Sequence, residues 1–372
     1  MGAKNLHLDP FDKGTITKLE IFEDYAQAWI PTFVMQPHFT ELHIFDFFAG
    51  PGYDADGISG SPIRILDKIN EQLGNILSTK TKIVLHFNEF EPNRVGQRKF
   101  ELLKENCNDY IINNSKFKYF LTVNLYNEDA SSLFYKLLPS IKKFPSLVYL
   151  DQNGVKFISK EYLSVLESLK TTDFLYFVSS SFFKRYGKTE EFKKALEIDV
   201  EELEKELYNN MHRLVLNKIK SRLPLQTELK LFPFSIKKNA NIYGIIFGAK
   251  NYAAVHKFLT IAWKRNAING EADFDIDADK SKLQIDLFEG KKMTKIEAFQ
   301  TELTKRLLNG SLTNNSDVLI YTYANGHIPK HSEVVVKQLK KEGKLHYDGK
   351  SPLITYENVF RHGNLMEYNL KN

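Results

Sequence analysis

The stretch Ile44-Phe45-Asp46-Phe47-Phe48-Ala49-Gly50-Pro51-Gly52 is an apolar run that ends in a glycine turn. A parallel strand covered on both faces reads as such a run, and glycines after it let backbone N–H groups approach a ligand closely. The stretch therefore predicts a buried strand with a nucleotide-like cofactor at its carboxyl end. A purely structural strand-to-helix turn is the alternative interpretation.

The residues around this turn narrow the class of cofactor. Gly50, Gly52 and Gly57 do not follow the G-x-G-x-x-G spacing of dinucleotide sites. Asp54 and Asp56 lie between them, and negative side chains repel phosphate but tolerate a cationic ligand. The sequence therefore favours S-adenosylmethionine, which has a sulfonium and an ammonium group and no phosphate.

The composition excludes several kinds of protein. The chain has 372 residues, enough for two domains, and its net charge of +5 permits a nucleic-acid partner without requiring one. One cysteine, Cys107, excludes an internal disulfide framework and a cysteine-rich zinc site, and no metal site is predicted. No apolar run approaches the length of about 20 residues that a membrane span needs, and the N-terminal residues lack a signal-peptide core. A cytoplasmic protein is therefore expected.

Apolar periodicity predicts a helix over residues 15–33 and then strands that alternate with helices, typical of a doubly wound α/β sheet. The predicted strands cover residues 43–48, 82–88, 117–124, 146–151 and 174–179. The intervening helices cover residues 62–76, 94–106, 129–141 and 160–169.

Two more strands, residues 231–237 and 242–248, are joined by a link too short for a parallel crossover, which favours an antiparallel hairpin. A sheet of five parallel strands that ends in such a hairpin is typical of class I methyltransferases. The predicted fold is therefore a Rossmann-like class I methyltransferase sheet over residues 1–270. Residues 182–223 are rich in Glu and Lys and predict a solvated helical insertion.

The C-terminal part of the chain predicts a second domain. Residues 271–293, which are acidic at first, are interpreted as a linker, and residues 294–372 as a winged helix-turn-helix. Its predicted helices are residues 295–308, 318–324 with Ser316-Asp317 as cap, and 330–342. Residues 345–348 and 353–356 predict a β-hairpin wing around Asp348-Gly349. Residues 252–265, which come before this linker, also predict a helix.

The last predicted helix carries a set of positively charged or basic side chains, and these could contact a nucleic-acid backbone. They are Lys330, His331, Lys337, Lys340 and Lys341. The alternative is that the lysines solvate a domain that docks to another protein.

Open α/β sheets bind ligands at the carboxyl ends of their strands, and this assigns candidate cofactor contacts. Asp46 is predicted to accept hydrogen bonds from the amino-acid part of the cofactor. Glu89 is predicted to hold the ribose hydroxyls, with Glu91 as competitor and helix capping as the structural alternative. Asp129 is placed near the adenine amino group, although it also suits an ordinary helix N-cap. The remaining predicted cofactor contacts are Phe48, Ala49, Gly50, Pro51, Gly52 and Phe90.

The fourth predicted strand ends in Asp151-Gln152-Asn153-Gly154, where an amine substrate would be presented. Methyl transfer to an exocyclic base nitrogen needs acceptors that hold the amino hydrogens, and the gain is mainly positioning. Asp151, Gln152 and Asn153 are the predicted catalytic residues. A buried turn whose polar side chains satisfy local backbone groups is the alternative.

Several segments together resemble the three-Cys-motif partner protein family, TcmP. They are Lys18-Leu19 with Tyr25 and Trp29, Asp46 to Gly52, Gly60-Ser61-Pro62, Asn88-Glu89-Phe90-Glu91-Pro92 and Ile245-Ile246-Phe247-Gly248-Ala249-Lys250. The resemblance implies a bacterial protein with a class I methyltransferase-like fold and a separate partner that bears three cysteines. By position, it assigns Asp46, Gly50, Gly52 and Glu89 to cofactor binding.

One segment departs from that family. Where its members usually read Asp-Pro-Phe-Gly, this chain has Asp151-Gln152-Asn153-Gly154, without the proline that stiffens the loop or the aromatic that stacks on a flipped base. Three functions stay open at this point. They are a methyltransferase acting on a nucleic-acid base, a non-catalytic adaptor of a three-cysteine partner in defence against mobile DNA, and a DNA-binding regulator.

Overall fold

The computed structural model describes residues 10–92, 98–151, 159–179, 211–238, 241–282 and 292–371. The chain divides into two compact units, Met1–Lys250 and Asn251–Asn372. This division falls earlier along the chain than the boundary expected at residue 270. The exact domain bounds stay a prediction.

The first unit is built on one seven-stranded sheet of order β3-β2-β1-β4-β5-β7-β6. The strands are β1 Glu41–Asp46, β2 Lys82–Asn88, β3 Leu121–Tyr126, β4 Ser146–Leu150, β5 Thr172–Ser179, β6 Lys230–Lys238 and β7 Asn241–Ala249. Strands β1 to β5 are parallel, and β7 runs antiparallel to both β5 and β6. Five parallel strands with an antiparallel hairpin form the class I methyltransferase sheet, so the predicted fold class is confirmed.

Helices cover both faces of this sheet. They are α1 Lys13–Val34, α2 Ser61–Glu71, α3 Leu73–Thr79, α4 Lys99–Asn113, α5 Ala130–Lys143, α6 Lys160–Ser168 and α7 Met211–Ser221. On one face, Phe22 of α1 stacks on Tyr149 of β4 with 4.1 Å between ring centroids. On the other face, α5, α6 and α7 form one hydrophobic core with Phe45 and Val148.

Three local predictions in the first unit need correction. The third strand begins at Leu121, because a 3-10 helix, Ser115–Tyr119, occupies the residues before it. The helix expected over residues 62–76 is broken at Gln72, whose N–H returns to the carbonyl of Ile69. Most of the expected insertion lies outside the described residues, but its last part, α7, is solvated on one face only and buries the other.

The burial of α7 has a simple cause in its sequence. Val215, Leu216 and Ile219 recur at helical spacing, and all three are buried in the core. The charged residues between them hid this apolar stripe from a composition-based interpretation.

Among the residues described, the second unit contains five α-helices, and a short π-helix, Glu357–Arg361, follows them. The α-helices are α8 Tyr252–Arg265, α9 Asp279–Lys282, α10 Lys295–Leu308, α11 Asn315–Ala324 and α12 Pro329–Lys341. Thr294 and Glu297 form a reciprocal capping box at the start of α10. Asn314 caps α11 by accepting from the N–H of Asp317 at 2.9 Å, so the cap expected at Ser316-Asp317 was wrong.

The predicted wing hairpin is also wrong. Strand β8, Leu345–His346, pairs antiparallel with β9, Asn369–Leu370, near the end of the chain. Leu353 has a φ of +53°, and the side-chain amide of Asn315 donates to its carbonyl at 3.1 Å. Leu353 is therefore held against α11, residues 353–356 form no strand, and the wing closes on a later segment.

The acidic stretch after residue 271 packs within the second unit. Ala272 and Asp279 are fully buried. The carboxylate of Asp275 accepts from the N–H groups of Asp279 and Lys280, at 2.7 and 2.9 Å. These carboxylate contacts organise the backbone at the start of α9.

Candidate functional site

Three carboxylates come together at the carboxyl edge of the sheet. Asp46 ends β1, Glu89 follows β2, and Asp151 follows β4. Strand β1 lies between β2 and β4, and its register places Asp46 beside Phe87 and Tyr149. The charges of Asp151 and Glu89 both raise the pKa of Asp46, as expected for close neighbours.

Asp46 is buried, and both of its carboxylate oxygens already accept hydrogen bonds from other groups of the protein. One carboxylate oxygen accepts from the N–H of Phe48 at 3.0 Å, and the other from the hydroxyl of Ser61 at 2.5 Å. Burial raises the pKa of Asp46 to about 7, against the opposing effect of these two hydrogen bonds. Asp46 thus ties the strand end to the start of α2, and its contact with a cofactor stays a prediction.

The glycine turn has the backbone that its sequence predicted. Gly50 and Gly52 have φ values of +67° and +97°, a region that L side chains rarely adopt. A Cβ on Gly52 would lie 3.2 Å from the Cβ of Asn106, whose amide donates to the carbonyl of Pro51 at 2.7 Å. Helix α4 therefore packs against the turn and fixes its shape.

Most backbone N–H groups of this turn donate hydrogen bonds to other groups of the protein. Phe48 donates to Asp46, Ala49 to the carbonyl of Asn88, and Gly50 to the carboxylate of Glu89. Pro51 has no N–H to offer. A pyrophosphate would need free amides here, so the geometry agrees with the preference for S-adenosylmethionine over a dinucleotide cofactor.

The structure separates the two candidate ribose carboxylates. Both oxygens of Glu91 accept backbone N–H groups, from Lys99 and Phe100 at 3.0 Å each, so Glu91 caps α4. Glu89 uses Oε2 to accept from Gly50 at 2.9 Å, and Oε1 has no partner among the described residues. Burial raises the pKa of Glu89. Phe90, the next residue, is 45% exposed.

Asn88 organises the same edge, and sequence reasoning missed it. Its side-chain N–H groups donate to the carbonyls of Phe47 and Glu128, at 3.1 and 3.0 Å. Its oxygen accepts the N–H of Glu128 at 3.1 Å. An asparagine buried at a strand end was the available signal, because such an amide needs partners from neighbouring strands. Asp129 accepts from the N–H of Ser132 at 3.1 Å and is the N-cap of α5.

Asp151 forms an ion pair with Lys18 of α1. The ammonium of Lys18 also lies 4.4 Å from the ring centroid of Phe177 on β5. Sequence reasoning did not assign Lys18 a role in the site, although a lysine inside the apolar stripe of an amphipathic helix was a signal. Gln152 and Asn153, the other predicted catalytic residues, lie outside the described residues.

The predicted nucleic-acid residues on α12 differ in their surroundings. Lys330 and Lys341 are exposed, whereas Lys337 pairs with Glu333. Lys340 donates to the carbonyls of Tyr347 and Gly349, at 2.8 and 2.7 Å, and so anchors the loop after β8. His331 is half-buried, with its ring centroid 4.3 Å from that of Trp263. Lys330 and Lys341 are therefore the best placed of the five for a phosphate backbone.

The described residues contain neither a membrane-spanning helix nor a metal-binding cluster. No helix in that part of the chain is both long and apolar enough to cross a membrane. No group of three or more His, Cys, Asp or Glu side chains there has the arrangement of a metal site.

Residues 273–352 match the family model described as a GMT-like wHTH domain. This similarity and the α10–α12 arrangement with its β8–β9 pair confirm the predicted winged helix-turn-helix. No curated protein sequence matches the chain.

Solved structures that are similar to the chain, at low scores, include the following two. One is the O-methyltransferase TomG from Streptomyces achromogenes, which is involved in tomaymycin synthesis and was solved in complex with SAM. The alignment has a TM-score of 0.31 and 8% sequence identity, and it covers 65% of this chain and 91% of TomG. The other is a putative O-methyltransferase from Klebsiella pneumoniae, with a TM-score of 0.30, 10% identity, 64% of this chain and 90% of that chain covered. The strand order, rather than these scores, assigns the fold.

Proposed function

We propose that this protein binds S-adenosylmethionine at the carboxyl edge of its sheet and methylates an amino group of a nucleic-acid base. The observation that carries the proposal is Glu89. Glu89 follows β2, and Oε2 of its carboxylate accepts a hydrogen bond from the N–H of Gly50. The other oxygen, Oε1, has no partner among the described residues. A carboxylate held in this way is ready to accept hydrogen bonds from a vicinal diol.

The electrostatics of the edge fit this cofactor. Asp46, Glu89 and Asp151 bring three carboxylates together, and Lys18 balances one of them. A cationic ligand without phosphate suits such surroundings, since opposite charge stabilises the ionised carboxylates. The partly exposed ring of Phe90 would cover one face of the adenine, with Asp129 near its amino group.

When bound, S-adenosylmethionine would supply an electrophilic methyl group and leave as a neutral thioether. The residues of this chain would position the acceptor. Asp151 would accept a hydrogen bond from the acceptor amine and take the proton that the nitrogen loses, and Gln152 and Asn153 would supply further acceptors. Positioning of this kind is a major source of rate enhancement. Lys330 and Lys341 would hold the nucleic acid through its phosphates.

Calorimetry with S-adenosylhomocysteine tests the cofactor half of the proposal. Glu89→Gln keeps an oxygen for the N–H of Gly50 but replaces the second acceptor by an amide. We expect binding about tenfold to a hundredfold weaker than in the wild type, as for loss of hydrogen bonds to a charged group. Glu105→Ala, at an exposed carboxylate of α4 that pairs with Arg98, is the matched control. Equal binding by wild type and Glu89→Gln would refute the assignment.

A second function is favoured by the Lys18–Asp151 pair. Because an internal ammonium already occupies the carboxylate at the acceptor position, the chain would also suit a non-catalytic adaptor. The likeness to the TcmP family supports a three-cysteine protein as its partner, in a bacterial system directed against mobile DNA. An adaptor should hold that partner equally well after Asp151→Asn, whereas an enzyme should lose methyl transfer with the same change.

A further inference from the structure

Helix α1 is locked to the sheet by three residues on one of its faces. Lys18 pairs with Asp151, Phe22 stacks on Tyr149 at 4.1 Å, and the hydroxyl of Tyr25 donates to Asp173 at 2.7 Å. These positions follow each other at helical spacing of four and three residues. These contacts fix the rotation of α1 about its axis, and this rotation places the ammonium of Lys18 at the end of β4.

Burial makes this ion pair unusual. Lys18 is only 9% exposed, although lysines are rarely buried so far. A buried ion pair is weak evidence for a stabilising role, because apolar residues of similar volume usually serve stability as well or better. The pair lies at the sheet edge where ligands bind in open α/β folds, which favours a role in recognition.

Within the part of the chain that the structure describes, the hydrogen-bonding capacity of the pair is not used up. An ammonium has three N–H donors and a carboxylate accepts through two oxygens, and only one contact joins Lys18 to Asp151 among the described residues. The hydroxyl of Tyr149 is completely buried, lies in the electrostatic field of Asp46 and Asp151, and has no partner within the same residues. Such an orphan hydroxyl costs free energy unless something satisfies it.

We propose that Lys18 and Asp151 together recognise the methyl acceptor as a base edge with an exocyclic amino group beside an unprotonated ring nitrogen. Asp151 accepts from the amino group, and Lys18 donates to the ring nitrogen. Adenine and cytosine present this edge. The inference rests on the proposed function and deepens it, because it assigns the substrate class and adds Lys18 to the site.

Binding of nucleoside analogues to the full chain, followed by NMR with and without S-adenosylhomocysteine, tests the inference. The probes are 2′-deoxyadenosine, purine 2′-deoxyriboside, which lacks the amino group, and 1-deaza-2′-deoxyadenosine, which lacks the ring nitrogen. The wild type should bind 2′-deoxyadenosine about tenfold more tightly than either analogue, the usual scale for one lost contact. Equal affinities for the three probes, or no binding of any of them, would overturn the inference.

The variant Lys18→Met separates the two contacts, since methionine keeps most of the packing on Phe177 but cannot donate. It should lose the preference for 2′-deoxyadenosine over the 1-deaza analogue and keep the preference over purine 2′-deoxyriboside. Lys18→Arg, which retains the charge, should keep both preferences. Lys68→Met is the matched control, because Lys68 on α2 is a similarly buried lysine that also forms ion pairs, with Glu23 and Glu71. An unchanged pattern in Lys18→Met would refute the role of Lys18.

The same measurements distinguish this inference from the proposed function. If the protein discriminates among the nucleosides but does not bind S-adenosylhomocysteine, the proposed base site is supported and the proposed cofactor site is refuted. Binding of S-adenosylhomocysteine without discrimination would leave the cofactor and refute the base site.

Discussion

At the scale of single residues, Asp46 makes stability depend on pH. Its pKa of about 7 in the folded chain lies above its ordinary value of 3.8, mainly because of burial. Between these values the folded state keeps a proton that the unfolded state has lost. The free energy of unfolding contributed by Asp46 is therefore fully present below about pH 4, falls as the pH rises toward 7, and is flat above that.

Asp46→Asn isolates this contribution. Asparagine can accept from the N–H of Phe48 and bond to the hydroxyl of Ser61, so the turn should keep its contacts. Between pH 4 and 7 the wild type should lose up to about 4 kcal/mol of unfolding free energy that the variant does not lose. Urea unfolding of both proteins at several pH values measures this difference, in which the histidine contributions cancel. Parallel pH profiles would show that Asp46 titrates normally.

Residues also show where sequence reasoning stopped. The preference for Glu89 over Glu91 followed from distance along the chain, and the contacts of Glu91 with Lys99 and Phe100 give it a physical basis. Lys18 escaped assignment to the site because its partner, Asp151, lies on a distant strand. A contact between such positions leaves no local pattern in the sequence.

At the scale of elements, the strands and their order were predictable because apolar runs and connection lengths are local signals. The hairpin β6–β7 decided the topology, since its link is too short for a parallel crossover. The wing was not predictable in the same way. Leu345 pairs with Leu370, and nothing near either residue indicates a partner so late in the chain.

Helix α12 carries a prediction of its own. Replacing Lys330 or Lys341 by Ala should weaken binding to duplex DNA of any sequence, because phosphate contacts carry no sequence information. Each change should lower the slope of log affinity against log salt by about 1. Titrations at several salt concentrations measure both effects. Lys305→Ala, at an exposed lysine of α10, is the control, and a slope unchanged in all variants would argue against this surface.

At the scale of the whole molecule, two units of different character share one chain. The first has a class I methyltransferase sheet, and the second matches a GMT-like wHTH model over residues 273–352. Mild positive charge and composition allowed a nucleic-acid partner but did not require one. The two folds could be identified from the order of helices and strands along the sequence. The candidate site could be described only once the positions of its side chains were known.

The choice between enzyme and adaptor also belongs to this scale. If the chain is an adaptor, copurification with a three-cysteine partner should be unchanged by Asp151→Asn and by Glu89→Gln. If it is an enzyme, the same changes should reduce methyl transfer to DNA or RNA by at least about a hundredfold, since positioning and proton acceptance are both affected. Transfer that persists at the wild-type rate in Asp151→Asn would exclude the proposed catalytic role of this residue.

The central claim is that a sulfonium nucleoside binds at the carboxyl edge of the sheet. A crystal structure of the full chain soaked with S-adenosylhomocysteine tests it most directly. The account predicts the ribose hydroxyls on Oε1 of Glu89, the adenine beside Phe90, and the sulfur facing the Lys18–Asp151 pair. Density for the ligand elsewhere, or an edge filled by the protein's own side chains at saturating ligand, would contradict the account.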